Sequence, residues 1–497
     1  MATKKSRCPL HCNNSHDLSR RKFLQNTSTF IIGSLFLGNC TSDSSKNHII
    51  KRIQPYGPGA TYIPKIKAAF VRRKEDYGMW WPGAVYDGEA AHRKYTQLLN
   101  ETAKELRVKF DLRSEPIYSH DEADVWVSEA RDENVDGLMV LLLDRQQHAW
   151  PTAHKAAESG IPTVVFSPVG SSFTTNTIRL ANQPGCVIYS TDDFSQAAYG
   201  MKMLKAGARM RSTRCIVLRG DKRFETDMAD LGITLRYIPV QTFLDEYRSM
   251  NTTDEILAMT REYERQAERR KGATPQDVVN GIKSYCVARN ILEREEGDAI
   301  TMDCLGALAN EKISLPCIAW SRMNDDGIPA ACEADTGAVA AHIIVQYLFD
   351  RPGFQQDPVA DTSSDTLIGA HCSCPTRLNG INEPPEPFEL IHHHGNRDAV
   401  PRPFWKIGQR VTCLDVLPGT NNKDEVRKTK MLISEGTVVD NVSVPPAGGC
   451  VVSVKVKFDG DQDVLTFPGF HQLFFYGEFK DHLKEFCQLY DFEAEVV

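Results

Sequence analysis

The second half of the chain spaces acids and imidazoles in a way that suits a hard divalent ion. In order they are Glu333, Asp335, Asp357, Asp361, Asp365, His371, His392 to His394, and His471. Carboxylates are the natural ligands of such ions, and imidazole is accepted by manganese and iron. Each residue alone also has an ordinary explanation. An acid at a helix start caps it, and a strand histidine is often a satisfied core or surface group. Asp361 and Asp365 in "ADTSSD" read as loop or cap residues, and the three consecutive histidines as a strand-to-loop transition. Glu333, Asp357, His371 and His471 stand out by context. Glu333 follows "SRMNDDGIPAAC", read as a loop entering a helix, and Asp357 follows "RPGFQQ", another loop. His371 and His471 lie near glycines at the ends of β runs. Polar groups on loops at strand ends are where α/β proteins build sites. Asp335 reads as the N-cap of the helix beginning at Thr336.

Those positions need elements to hold them. "KIKAAFVRR", "VDGLMVLLLD" and "IPTVVFSP" read as strands, alternating with helical stretches such as "GEAAHRKYTQLLNETAKEL". The run Val135–Asp144 is continuously apolar, as in a strand buried on both faces. A second alternation follows, with charge-rich helices at Asp254–Arg269 and Gln276–Arg294 and another helix at Thr336–Phe349. After about Gln355, short β runs punctuated by Gly, Pro, Asn and Asp replace the long helices until "FKDHLKEFCQLY". The fold class expected is α/β: two Rossmann-like doubly wound domains, then an antiparallel β-barrel-like domain. The expected divisions are 1–40 for a signal, 62–185 and 186–354 for the α/β domains, and 355–497 for the β domain.

Composition sets the class. The 497 residues are 41% hydrophobic and 25% charged, with a net charge of −7. That is ordinary globular composition, with no basic field for nucleic acid and no acidic tail. Fourteen cysteines are too few for a disulfide scaffold of this length. Their scatter in apolar runs (Cys186, Cys215, Cys317) suits buried free thiols. At the N-terminus Arg20 and Arg21 precede the apolar run Phe30–Gly38. The run is too short to span a bilayer but suits a signal-peptide core. The arginine pair resembles a twin-arginine export signal. "LGNC" resembles a lipoprotein cleavage box, with Cys40 as a lipid anchor. An exported protein is therefore expected, periplasmic or membrane-anchored, and a cytoplasmic one if the signal does not function. Cys8 and Cys12, with no second pair, read as part of that signal rather than as a zinc knuckle.

The segment "PCIAWSRMNDDGIPAACEADTGAVAAHIIVQYLFDRPGFQQDPV" resembles the metal-site region of the L-fucose isomerase and L-arabinose isomerase superfamily. "GAHCSCP" is similar to the segment that opens the last domain of that superfamily, and "GFHQLFFYGEFKDHLKEFCQLYDFEAEV" to its closing segment. The resemblance runs over roughly Val135 to Val497. It implies a divalent metal, usually manganese, held by Glu333, Asp357 and His471, with His371 matching an extra histidine of the arabinose branch. Asp357 is preferred to Asp361 because it follows the "PGF" turn. It also implies trimers or hexamers, a small sugar substrate, and aldose–ketose isomerisation through an enediol. In that chemistry Glu333 and Asp357 are ligands that double as acid and base. Trp80, Trp81, His148 and Trp150 are the candidate substrate contacts, the tryptophans either stacking on a sugar ring or forming a buried aromatic cluster. The other reading is a non-catalytic sugar-binding member of the same fold.

Overall fold

Continuous apolar runs become the inner strands of parallel sheets. The computed structural model describes residues 55–74, 87–143, 145, 149–308, 313–393, 397–421, 426–442 and 450–497. The signal segment with Arg20, Arg21 and Cys40, and the candidates Trp80, Trp81, His148 and His394, lie outside them.

The first sheet comprises β1 (Lys65–Val71), β2 (Lys109–Leu112), β3 (Gly137–Leu142), β4 (Thr163–Ser167) and β5 (Cys186–Ser190) in the order β2-β1-β3-β4-β5. All its pairings are parallel. Every residue of β3 is buried, as the apolar run requires. Helices α1 (Gly88–Leu106), α2 (His120–Asp132) and α3 (Ala149–Ala157) fill crossovers of this sheet, and α4 (Phe194–Arg211) follows β5 and leads to the second sheet. Asp87, Ser119 and Asp193 cap three of them through their side chains, where orphan N–H groups need acceptors. Because β5 belongs to this sheet, the sheet extends past the division expected at 185/186.

The second sheet comprises β6 (Arg214–Leu218), β7 (Phe224–Met228), β8 (Ile233–Ile238), β9 (Ala299–Met302) and β10 (Ala330–Cys332), ordered β10-β9-β6-β8-β7. Only the edge pair β7–β8 is antiparallel. α5 (Pro275–Arg294) starts with a capping box between Thr274 and Asp277 and Pro275 in its first turn, as such a sequence favours. It packs on α6 (Cys317–Asp325). The segment before Glu333 departs from expectation. Ser321–Asp325 is the end of α6 rather than a loop, and Ala330–Cys332 is a strand. Three small residues carry no readable period, and pairing with Ile300–Met302 sets their conformation. α7 (Thr336–Phe349) follows.

The third sheet holds β11 (Phe354–Asp361), β12 (Thr366–His371), β13 (Arg410–Leu417), β14 (Lys430–Asp440), β15 (Val452–Phe458), β16 (Gln472–Tyr476) and β17 (Glu493–Val496). Its antiparallel pairings run β13-β16-β11-β12-β15-β14, and β14 returns to β13, so six strands close on themselves. Closure removes the exposed edges. β17 adds to β14 in parallel, after the amphipathic α8 (Lys480–Tyr490). α7 lies against β13 with most of its side chains buried. A Cβ at Gly337 would stand 2.5 Å from the Val416 carbonyl oxygen. Only a residue without a side chain permits that approach.

Candidate metal centre

Glu333 sits one residue beyond β10, at the carboxyl end of a parallel strand. The other three candidates come from adjacent strands of the closed sheet. Asp357 lies within β11, opposite Ala370. His371 ends β12, opposite Val452. His471 immediately precedes β16, beside the Gln356–Gln472 pair. These four residues, dispersed in sequence, meet where the second sheet abuts the third.

The distances define one locus. His371 Nε2 is 3.8 Å from Glu333 Oε1, and His471 Nε2 is 3.6 Å from Glu333 Oε2. His471 Nε2 is 3.2 Å from Asp357 Oδ1. Ligand atoms of Glu333, His371 and His471 all fall within 4.8 Å of one another. The two histidines are 1% and 5% exposed, whereas about a third of each carboxylate side chain faces solvent. The locus is thus buried on its imidazole side and open on its acid side.

Asp357 Oδ1 and His471 Nε2 face each other as a buried ion pair at 3.2 Å, and among the described residues His371 Nε2, also buried, has no hydrogen-bond partner. An orphaned buried polar atom costs about 1–3 kcal/mol. His371 Nε2, the His471–Asp357 pair and the Glu333 carboxylate converge into a donor set of oxygen and nitrogen that fits a hard or borderline divalent cation.

The backbone is strained at this point too. Glu333, Ala334 and His471 hold φ of +64°, +53° and +58°. Left-handed backbone at non-glycine residues costs about 1–3 kcal/mol each and persists where surrounding structure enforces it. Here the enforcing bonds are visible. The Ala334 N–H donates to the Met302 carbonyl at 2.9 Å. The Phe470 N–H donates to Asp415 Oδ2 at 3.1 Å, just ahead of His471. Gln355 Oε1 accepts from the Cys332 N–H at 2.8 Å, which ties β11 to β10 beside Glu333.

Electrostatics differ between the two imidazoles. Burial pulls His371 down to about 4, outweighing the attraction of Asp357, so the ring is neutral. Burial also opposes charge on His471. The hydrogen bonds to Asp335 and Asp357, with the charges of both, outweigh it and push His471 up to about 10. Burial raises Glu333 above the usual carboxylate range, with Asp357 and Asp335 adding to it against His471.

Asp335 does cap α7, accepting from the Ala338 N–H at 2.9 Å, but it also binds His471 Nδ1 at 2.8 Å. A carboxylate on the far nitrogen of a ligating histidine fixes its tautomer and orientation. That second task, and the support from Asp415, were not visible in the sequence, because the partners are far apart along the chain. Asp361 lies at the opposite end of β11. It is held by Lys455 at 2.6 Å and by Ser363 and Ser364, so it does not join the cluster. Trp150 is buried in the apolar core of the first sheet with Trp126 and Val165, not at this locus. His392 Nε2 is 3.4 Å from Asp277, away from the site.

No family model matches the chain, and no curated protein matches it. Among solved structures, it is similar to an ABC transporter solute-binding protein from Burkholderia multivorans with an unknown ligand treated as α-D-erythrofuranose. The identity is 13%, covering 58% of this chain and 92% of that one, with a TM-score of 0.19. It is also similar to a periplasmic solute-binding protein from Actinobacillus succinogenes 130Z with bound D-allose, at 14% identity, 57% and 91% coverage and a TM-score of 0.16. TM-scores this low mark no common arrangement of the whole chain.

Proposed function

We propose that the chain is a divalent-metal-dependent aldose–ketose isomerase that works through an enediol. Its arrangement is read as two Rossmann-like domains followed by a barrel-like β domain. The observation that supports this is the convergence of Glu333, Asp357, His371 and His471, with the buried His371 Nε2 left unpaired among the described residues. The motif resemblance to the L-fucose and L-arabinose isomerase superfamily gives the same four residues.

Those residues would hold manganese or a similar ion. Such an ion supplies Lewis-acid polarisation of the sugar carbonyl and stabilises the charge of the enediolate. The chain's own groups do the remainder. Isomerisation moves a carbon-bound proton between C1 and C2 and a hydroxyl proton between the oxygens. Glu333 and Asp357 are the two groups able to take and return protons there. Glu333, raised by partial burial, is a stronger base than an ordinary carboxylate. His371 and His471 shape the buried wall, and Asp335 keeps His471 turned towards Glu333 and Asp357.

The test is exchange of the C2 proton of a panel of aldoses with deuterated solvent by manganese-loaded protein. Exchange with at least one sugar, falling by about 100-fold or more in Glu333→Gln, is expected. Absence of exchange with every sugar, together with unchanged metal affinity in Glu333→Gln, would sink the proposal. Sugar binding without exchange would move the reading to a binding protein.

A further inference from the structure

Beside the oxygen- and nitrogen-rich locus lies a different set of donors. Cys317 opens α6, Cys372 directly follows β12, and His393 directly follows the strand Phe388–His392. All three are buried. The Cys317 and Cys372 sulfurs are 3.4 Å apart. Those sulfurs and a ring nitrogen of His393 all lie within 4.8 Å of one another. Cys450, half-buried, is in hydrogen-bonding contact with Cys372. These four residues line one cavity of about 60 Å³, whose wall also includes Glu333 and His371.

We infer a second metal site here, a tetrahedral zinc site held by Cys317, Cys372, Cys450 and His393. Tetrahedral Zn–S bonds of about 2.3 Å put sulfur atoms about 3.8 Å apart, close to the 3.4 Å between Cys317 and Cys372. Thiolate selects zinc over manganese, and imidazole completes a common structural ligand set. On binding, three thiols release their protons to solvent and His393 ligates as the neutral ring, leaving a site charge of −1. The cavity is large enough for an ion, which takes less space than a water with its share of liquid volume.

The two sites share an edge. His371 Nδ1 is 3.6 Å from Cys372 Sγ, while its Nε2 points at Glu333. A zinc-bound thiolate at Cys372 would accept a hydrogen bond from Nδ1–H and so hold His371 in the tautomer whose Nε2 carries the lone pair. The zinc site stands on its own geometry, and only this coupling rests on the isomerase reading.

The experiment uses full-length protein purified under reducing conditions, stripped of metal and titrated with Zn²⁺ or Co²⁺ alone. Wild type and Glu333→Gln should both bind Co²⁺ with sulfur-to-cobalt charge-transfer absorption, and both should bind one zinc tightly. Cys317→Ser/Cys372→Ser should lose the absorption and weaken zinc by more than about 100-fold. Cys450→Ser, at a half-buried position, keeps the test usable if the double variant does not fold. It should alter the cobalt spectrum and weaken zinc in the same direction. A cobalt spectrum without thiolate absorption would overturn the inference. So would tight zinc binding that survives the cysteine variants but is lost in Glu333→Gln, or a Cys317–Cys372 disulfide in protein isolated without reductant that binds no zinc once reduced.

Discussion

Asp335 divides its two carboxylate oxygens between a helix and a histidine. Oδ1 accepts from the Ala338 N–H at 2.9 Å and starts α7, while Oδ2 binds His471 Nδ1 at 2.8 Å. The residue that begins the supporting helix therefore also aims an imidazole at Glu333 and Asp357.

The two tasks separate in Asp335→Asn. Asparagine caps helices as well as aspartate does, so the midpoint of thermal unfolding should change little. The amide no longer offers His471 a charged acceptor. Manganese affinity, measured by calorimetry, should fall by about 10–100-fold, the usual cost of losing a partner to a ligating histidine. Asp335→Ala should add a loss of about 1 kcal/mol in unfolding free energy. Unchanged manganese affinity in the asparagine variant would mean that His471 is held by its surroundings alone.

Asp357 and Asp361 occupy the same strand four residues apart and should behave oppositely. Asp357→Asn removes an acid from the cluster and should weaken manganese by more than about 10-fold and abolish proton exchange. Asp361 is tied to Lys455, Ser363 and Ser364. Its asparagine variant should bind manganese within about twofold of wild type. Equal loss in both would refute the placement of Asp357.

How far the sequence revealed this site depends on the range over which each signal acts. Glu333, Asp357, His371 and His471 could be singled out because each sits in a local context of loop, glycine or strand end. The β character after Gln355 was legible from alternating apolar runs and turn residues. Closure of those strands was not, since the pairing of Arg410–Leu417 with Lys430–Thr437 leaves no mark on either segment. The strand Ala330–Cys332 was missed because three small residues have no period, and partner strands decide such cases. Cys317 read as an isolated buried thiol. Its closeness to Cys372 arises only when α6 packs beside the end of β12. The bond from Asp335 to His471 spans 136 residues, beyond any local pattern.

Asp325, whose partners are not the cluster residues, gives a pH signature of its own. It is 5% exposed and accepts from the Thr376 hydroxyl and the backbone N–H groups of Thr376 and Arg377. Burial nevertheless pushes its carboxyl up from 3.8 to about 6. A raised folded-state value means the stabilising contribution is complete below the unfolded value and is lost as pH rises through about 6. Between pH 4 and pH 7, wild type should therefore lose about 2 kcal/mol relative to Asp325→Asn, whose side chain does not titrate. Denaturant unfolding at both pH values checks this, and the comparison cancels any fixed cost of the lost hydrogen bonds. A difference independent of pH would place the Asp325 value near that of the unfolded chain.

Gly337 tests whether α7 must lie close against the closed sheet for the site to form. In an exposed helix, Gly→Ala stabilises by about 1 kcal/mol. Here the new methyl would meet the Val416 carbonyl at 2.5 Å, a backbone atom of β13 that cannot rotate away. Overpacking of this kind costs about 1–3 kcal/mol, so Gly337→Ala should lower the unfolding free energy despite better helix propensity. The strain is relieved by moving α7 outward, which carries Asp335 away from His471. Manganese affinity should fall along with stability, whereas a core substitution in the first sheet, such as Val165→Ala, should lower stability by about 1–3 kcal/mol and leave manganese affinity unchanged. A stabilised Gly337→Ala protein with intact manganese binding would show that the helix has room to spare and that its small residues do not position the site.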